Sequence, residues 1–171
     1  YYKTSGNLAK TTATNMAEHE DFINTHVKPD DEAVYFHISS EMSTTFNSAR
    51  MAAEDMDNVY CIDSRNLSTG IGLLVLHACD LADEGKSAKE IYDEINTLIP
   101  KVDASFVVDT LEYLHKGGRC SSIAALGANL WKLRPMIQVK DCKISVTKKY
   151  RGKMNEVWKQ YVSEKLAEDN K

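Results

Sequence analysis

The chain is predicted to be an α/β protein: a parallel-sheet first domain, then part of a second α/β domain that carries a hairpin. Three observations predict it. Short runs of β-formers alternate with stretches of helical period as far as about residue 108, the pattern of a parallel sheet with right-handed crossovers. The texture then changes, and a hairpin spacing follows Pro135. Across 171 residues, 43% hydrophobic and 27% charged content can fill a core, which argues against disorder.

Taken in order, Thr11-Thr12-Ala13-Thr14-Asn15 leads into a helix over Met16 to Val27, and Asn15 with Glu18 three positions on resembles a capping box. Ala33 to Ile38 is a strand rich in β-formers. Ser43 to Met56 carries small and apolar residues at helical spacing, and Val59 to Ile62 is the next strand. Leu67 to Glu84 is a longer helix closed by Gly85. Ser87 and Glu90 repeat the box, Ile91, Ile95, Leu98 and Ile99 give that helix one apolar face, and Pro100 ends it. Ser105 to Val108 is the third strand of the alternation.

The domain boundary is placed near Pro100 to Asp103, giving a first domain over 1–101 and a partial second domain over 102–171. In the second, Leu111 to His115 makes a helical turn broken by Gly117-Gly118, and Ser121 to Trp131 is a small-residue helix that Pro135 prevents from continuing. Met136 to Val139 and Lys143 to Thr147, joined at Lys140-Asp141-Cys142, form the hairpin. The basic run Lys148 to Lys153 leads into a final amphipathic helix through Leu166.

Charge and cysteine usage narrow the function classes. With 21 Lys+Arg against 25 Asp+Glu the net charge is −4, which gives no electrostatic reason for a nucleic-acid partner or an anionic membrane. The longest apolar run, Ile71 to Ala78, is short and interrupted by Gly72 and His77, so no stable membrane insertion is expected. Cys61, Cys79, Cys120 and Cys142 show no C-x-x-C pair and no His at ligand spacing, so neither a zinc site nor another metal is expected. Cys61 and Cys79 are expected as buried free thiols. With no signal peptide visible, the expected location is cytoplasmic, although the chain opens at Tyr1-Tyr2 without a methionine.

In open parallel sheets ligands bind beyond the carboxyl ends of the strands. There the first strand runs into Ser39-Ser40 and Ser43-Thr44-Thr45, the second into Asp63-Ser64 and Ser68-Thr69, and Thr11-Thr12 precedes the first helix. Hydroxyls with helix N-terminal amides suit a carboxylate or phosphate. The same residues are also common helix caps, and both readings stand. No G-x-S-x-G, P-loop, G-x-G-x-x-G or H-E-x-x-H is present. His19 and His26 are expected solvated, His37 and His77 structural, and Asp63 could orient a base. Gly117-Gly118-Arg119 either lets backbone approach a ligand or partner beside a charged fork, or simply stops a helix.

Together these segments resemble the DegV family of bacterial fatty-acid-binding proteins. Lys10 to Asn15 resembles its Lys-Thr-Ser-Gln-Pro-Ser loop, and Ile38 to Ala49 its Ile-Ser-Ser-x-Leu-Ser-Gly-Thr-Tyr-x-Ser-Ala segment. Asp63-Ser64, Leu111 to Arg119 and Lys149-Tyr150-Arg151-Gly152 follow in the family's order at similar spacings, so the likeness covers nearly the whole chain. The resemblance implies a DegV-like two-domain carrier, not an enzyme and without a cofactor. It would hold one long-chain fatty acid in a tunnel and present its carboxyl group to a fatty acid kinase, which makes an acyl phosphate for phospholipid synthesis. Residue by residue, it implies Thr11 and Ser40 as the leading carboxylate contacts, Thr12 and Ser39 as their neighbours, and Arg119 and Arg151 at the rim and in kinase docking. The alternative is a serine-dependent hydrolase using Ser40, or a phosphotransfer component at the same loops; a hydrolase expects a histidine within reach of that serine.

The chain departs from the family pattern at Thr12-Ala13-Thr14-Asn15, at Thr44 where Gly is usual, and at Cys142 where a hairpin Gly is common. The family's usual first strand ending in Asp-Ser-Thr and its final His-Val-Gly-Pro-Gly segment, which supplies a carboxyl-site histidine, do not occur. The chain is therefore expected to be an internal portion of such a protein.

Overall fold

Backbone propensity and capping fix the elements of the computed structural model, which describes residues 2–116 and 133–169. The chain divides into two compact units: one gathers Thr11–Ala104 with Asp141–Lys143, the other the described residues of Tyr1–Lys10, Ser105–Lys140 and Ile144–Lys171.

After a single-turn helix α1 (Tyr2–Ser5), the first of these units begins with α2 (Met16–His26). Both halves of its capping box form: Glu18 N–H donates to Asn15 Oδ1 at 3.0 Å, and Asn15 N–H donates to Glu18 Oε2 at 2.9 Å. Then come β1 (Ala33–His37), α3 (Thr45–Ala52), β2 (Val59–Asp63), α4 (Ser68–Asp83) and α5 (Ala88–Leu98), followed by a 3₁₀ turn over Ile99–Lys101. The second box, Ser87 with Glu90, starts α5 as its spacing predicts. The α3 helix is shorter than its apolar spacing predicts. Thr45 N–H and the Thr45 hydroxyl both engage Ser43 Oγ, at 3.2 and 2.8 Å, so residues 43–44 form a turn before the helix.

Strands β1 and β2 pair in parallel, with Ala33 opposite Val59 and His37 opposite Asp63. Side chains alternate across such a pair, and that alternation sorts the core into two layers. On one face Val34, Phe36 and Ile62 meet Leu74, Ala78 and Leu81 of α4 and Ile91 and Ile95 of α5. On the other, Tyr35 and Cys61 meet Ile23 of α2 and Ala52 of α3. The pattern is helix, sheet, helix.

The other unit is built on β3 (Ser105–Val107), β4 (Arg134–Lys140) and β5 (Lys143–Tyr150), in that sheet order, with α6 (Glu112–Lys116) and α7 (Met154–Asp169). The alternation placed β3 with the parallel strands; it instead pairs antiparallel with β4, Phe106 opposite Ile137. The reason is burial: Val107 packs with Met136, Tyr150 and Val157, and Phe106 with Ile137 and Leu111. The hairpin is longer than predicted, since β5 continues through Lys148 and Lys149 to a buried Tyr150. Lys148 donates to Glu164 Oε2 at 2.8 Å, and the Tyr150 hydroxyl donates to the same oxygen at 2.6 Å. That pairing holds the Glu164 carboxyl down at about 2. The final helix buries Val157 but leaves Trp158, Val162 and Leu166 exposed, so its apolar residues do not form the single stripe expected. No helix among the described residues is long and apolar enough to cross a membrane.

The expected helix over Ser121 to Trp131, the Gly117-Gly118 break and Cys120 lie outside the described residues. Cys61 is partly buried, and burial pushes its thiol up to about 11, but Cys79 is exposed, contrary to expectation. Its position in α4 points to the side opposite Leu74, Ala78 and Leu81, which the helical period gives to the core.

Candidate functional site

Because β1 and β2 are parallel, both release their loops at the same edge, and the two loops lock together there. Ser39 is fully buried. Its N–H donates to Asn66 O at 2.9 Å, its carbonyl accepts from Met42 N–H at 2.9 Å, and its hydroxyl donates to Cys142 O at 2.7 Å. The Asp141–Lys143 tip belongs to this unit, and Lys143 Nζ lies 3.1 Å from Glu41 Oε2. Ser39 thus spends its hydroxyl on architecture.

Ser40, partly buried, faces Asp63. Its hydroxyl donates to Asp63 Oδ2 at 2.6 Å and its N–H to Asp63 Oδ1 at 3.1 Å, while Arg65 N–H donates to the same Oδ1 at 3.0 Å. Such short hydrogen bonds to a carboxylate are the stronger kind. Beside it the buried Ser64 and Asn66 exchange contacts: Asn66 N–H donates to Ser64 Oγ and the Ser64 hydroxyl to Asn66 O, each at 3.2 Å. Asn66 Nδ2 also donates to Val102 O at 3.3 Å. Arg65 and Ser68 sit at φ +49° and +47°, a left-handed backbone that non-glycine residues hold only where surrounding bonds fix it.

Behind this edge lies a cluster of rings. His19, expected in solvent, is buried: it projects from α2 onto β1, with Nδ1 3.0 Å from the Tyr35 hydroxyl. His37 is also buried, 5.5 Å from His19 and 4.1 Å from Tyr35, centroid to centroid. Burial lowers both imidazoles, His37 to about 4, with the neighbouring His19 adding to the fall and Asp63 opposing it. The Nε2 atom of His37 is buried without a hydrogen-bond partner among the described residues.

The described hydrogen bonds therefore join Ser39 and Ser40 to Asp63 and Asn66, and they do not extend to Thr12. Thr11 and Thr12 are exposed in the segment before α2. Arg151 is exposed after β5, and Arg119 lies outside the described residues. The Ser40 hydroxyl meets a carboxylate, not the imidazole expected of a Ser–His hydrolase. Asn66 was not singled out by sequence reasoning; a buried amide between two strained positions has no sequence signature. Among the described residues no group of three or more His, Cys, Asp or Glu could hold a metal ion.

The family model described as an uncharacterised protein of the DegV family matches residues 1–171. The chain belongs to the DegV family. A DegV domain-containing protein of Clostridium acetobutylicum is 38% identical over 129 residues, covering 74% of this chain and 46% of the relative. This DegV chain spans about half the length of the curated relatives it matches. Among solved structures, a DegV lipid binding protein of Thermotoga maritima has a TM-score of 0.84 at 25% identity, covering 99% of this chain and 59% of that one. A fatty-acid-binding DegV protein of Thermus thermophilus has a TM-score of 0.75 at 28% identity, covering 88% and 55%. The fold is that of the DegV proteins.

Proposed function

We propose that this chain is the part of a DegV carrier that holds the carboxyl end of a fatty acid, and that it acts by binding, without chemistry of its own. The observation that carries this reading is the Ser40–Asp63 contact: a hydroxyl at a strand end, oriented by a carboxylate and not by an imidazole. The lipid-binding and fatty-acid-binding relatives of the same fold support the class of ligand. Thr11 and Ser40 are the proposed carboxyl contacts, with Thr12 and Ser39 beside them; Ser39 contributes by fixing the loop. Arg119 and Arg151 are proposed for the rim and for docking the kinase that receives the carboxyl group. The first domain is proposed over 1–101 and the partial second domain over 102–171.

Burying an acyl chain contributes about 0.8 kcal/mol per methylene, enough for a carrier to keep its ligand through purification. An organic extract of the purified, denatured chain, read by mass spectrometry, is expected to contain a near-stoichiometric fatty acid. Thr11→Ala combined with Ser40→Ala is expected to lower that content while circular dichroism stays unchanged. An extract empty of acyl chains, or an undiminished one from the double variant, counts against the carrier or the contacts respectively.

A further inference from the structure

We propose that Asp63 is a specificity-determining positioning residue: by taking the Ser40 proton, it makes the site select an uncharged, hydrogen-donating head group, a protonated carboxylic acid over its carboxylate. This rests on the carrier reading above.

A serine hydroxyl has one proton to give and two lone pairs that accept. Here the proton is committed to Asp63 Oδ2 at 2.6 Å, and the Ser40 N–H is committed to Oδ1 at 3.1 Å. Among the described residues Asp63 has no cationic ion-pair partner, and the donors to it are neutral: the N–H groups of Ser40 and Arg65 and the Ser40 hydroxyl. What Ser40 offers a ligand is therefore a lone pair backed by an anion. A carboxylate arriving there meets an acceptor and a like charge; a carboxylic acid donates its O–H to Ser40 Oγ and completes a chain of two hydrogen bonds ending on Asp63.

The groups facing this pair leave the argument intact. His37 lies across the strand pair from Asp63, and His19 of α2 stands behind it, both held neutral by burial. Glu41, next to Ser40, is paired with Lys143. The Arg65 contact to Asp63 is through its backbone N–H. Burial shifts both imidazoles down from their ordinary value, away from the range of pH 7 to 9.

A free fatty acid is ionised in that range and would take up one proton on binding, so its affinity must depend on pH where an alcohol's does not. The test is isothermal titration of the full chain with dodecanoate, dodecan-1-ol and dodecane-1-sulfonate at micromolar concentration, pH 7 to 9, at constant ionic strength. Expected are an about tenfold loss of dodecanoate affinity per pH unit, from one-proton linkage, a flat profile for the alcohol, and the sulfonate weakest. Asp63→Asn is expected to flatten the dodecanoate profile and admit the sulfonate. The wild-type slope decides the matter even if that variant does not fold. Equal, pH-independent binding of dodecanoate and sulfonate overturns the head-group assignment and leaves the carrier standing. Binding of none of the three overturns both.

Discussion

Replacing Gly70 by alanine tests how tightly the loop after β2 is built. Gly70 lies in the first turn of α4, against the Asn66 side chain. A Cβ there would stand 2.5 Å from Asn66 Cγ and 2.9 Å from Nδ2, closer than real contacts allow. Asn66 is 3% exposed, so its amide cannot swing into solvent. To yield, it must release two bonds, Leu67 N–H to Oδ1 at 2.9 Å and Nδ2–H to Val102 O at 3.3 Å. Losing them costs about 1.5 kcal/mol each when a buried partner is left unpaired, and alanine returns about 1 kcal/mol of helix propensity, so the net loss is about 2 kcal/mol. For a chain of this size that lowers the thermal midpoint by roughly 4–8 °C. Circular dichroism at 222 nm during heating measures it. Gly72→Ala is the internal control: the same helix, nothing within 4 Å of the added carbon, and a gain of up to about 1 kcal/mol expected. If Gly70→Ala were as stable as Gly72→Ala, the Asn66 amide would not be holding the loop.

Two further perturbations follow from other features. His37 is neutral when folded, with its pKa lowered from 6.5 to about 4, so stability is fully present above about pH 6.5 and declines as pH falls towards 4. After allowance for solvent screening the decline is about 2 kcal/mol; urea unfolding at pH 7 and pH 4 should show a smaller difference for His37→Phe, and an equal one would refute the assignment. Cys142 holds φ +63° at the hairpin tip beside Asp141 at +51°. Cys142→Gly should stabilise by about 0.5–1 kcal/mol in urea unfolding, because glycine takes that conformation without Cβ strain; no gain would mean the tip is unstrained.

The parts of this fold governed by local chemistry were legible in the sequence. Asn15–Glu18 and Ser87–Glu90 form their reciprocal bonds because a capping box needs only residues three apart. The parallel strands and the hairpin follow from periodicity and turn chemistry alone. The assignment of β3 to a sheet was not legible, since a three-residue strand has too little alternation to say which layer it joins. His19 escaped for a related reason: on α2 it shares a face with Ile23, but a helix otherwise polar gives no sign that an imidazole points inward. The strand-end serines were legible as loop positions and not as a geometry. Ser39 and Ser40 are neighbours of identical type; one is buried into Cys142 O and the other turned to Asp63, and only tertiary packing separates them.

The pairing of His37 with Asp63 has a consequence for anyone who would rebuild this protein. A chain edit of one residue inside Val59–Asp63 would carry every later side chain of β2 to the opposite layer, sending Asp63 towards the oily interior of α4 and α5 and Ile62 towards the imidazoles. The Ser40–Asp63 pairing is thus written in the phase of a five-residue strand. Transplanting it to another scaffold means copying two strands in step, since grafting the serine loop alone would leave Ser40 with nothing to receive its proton.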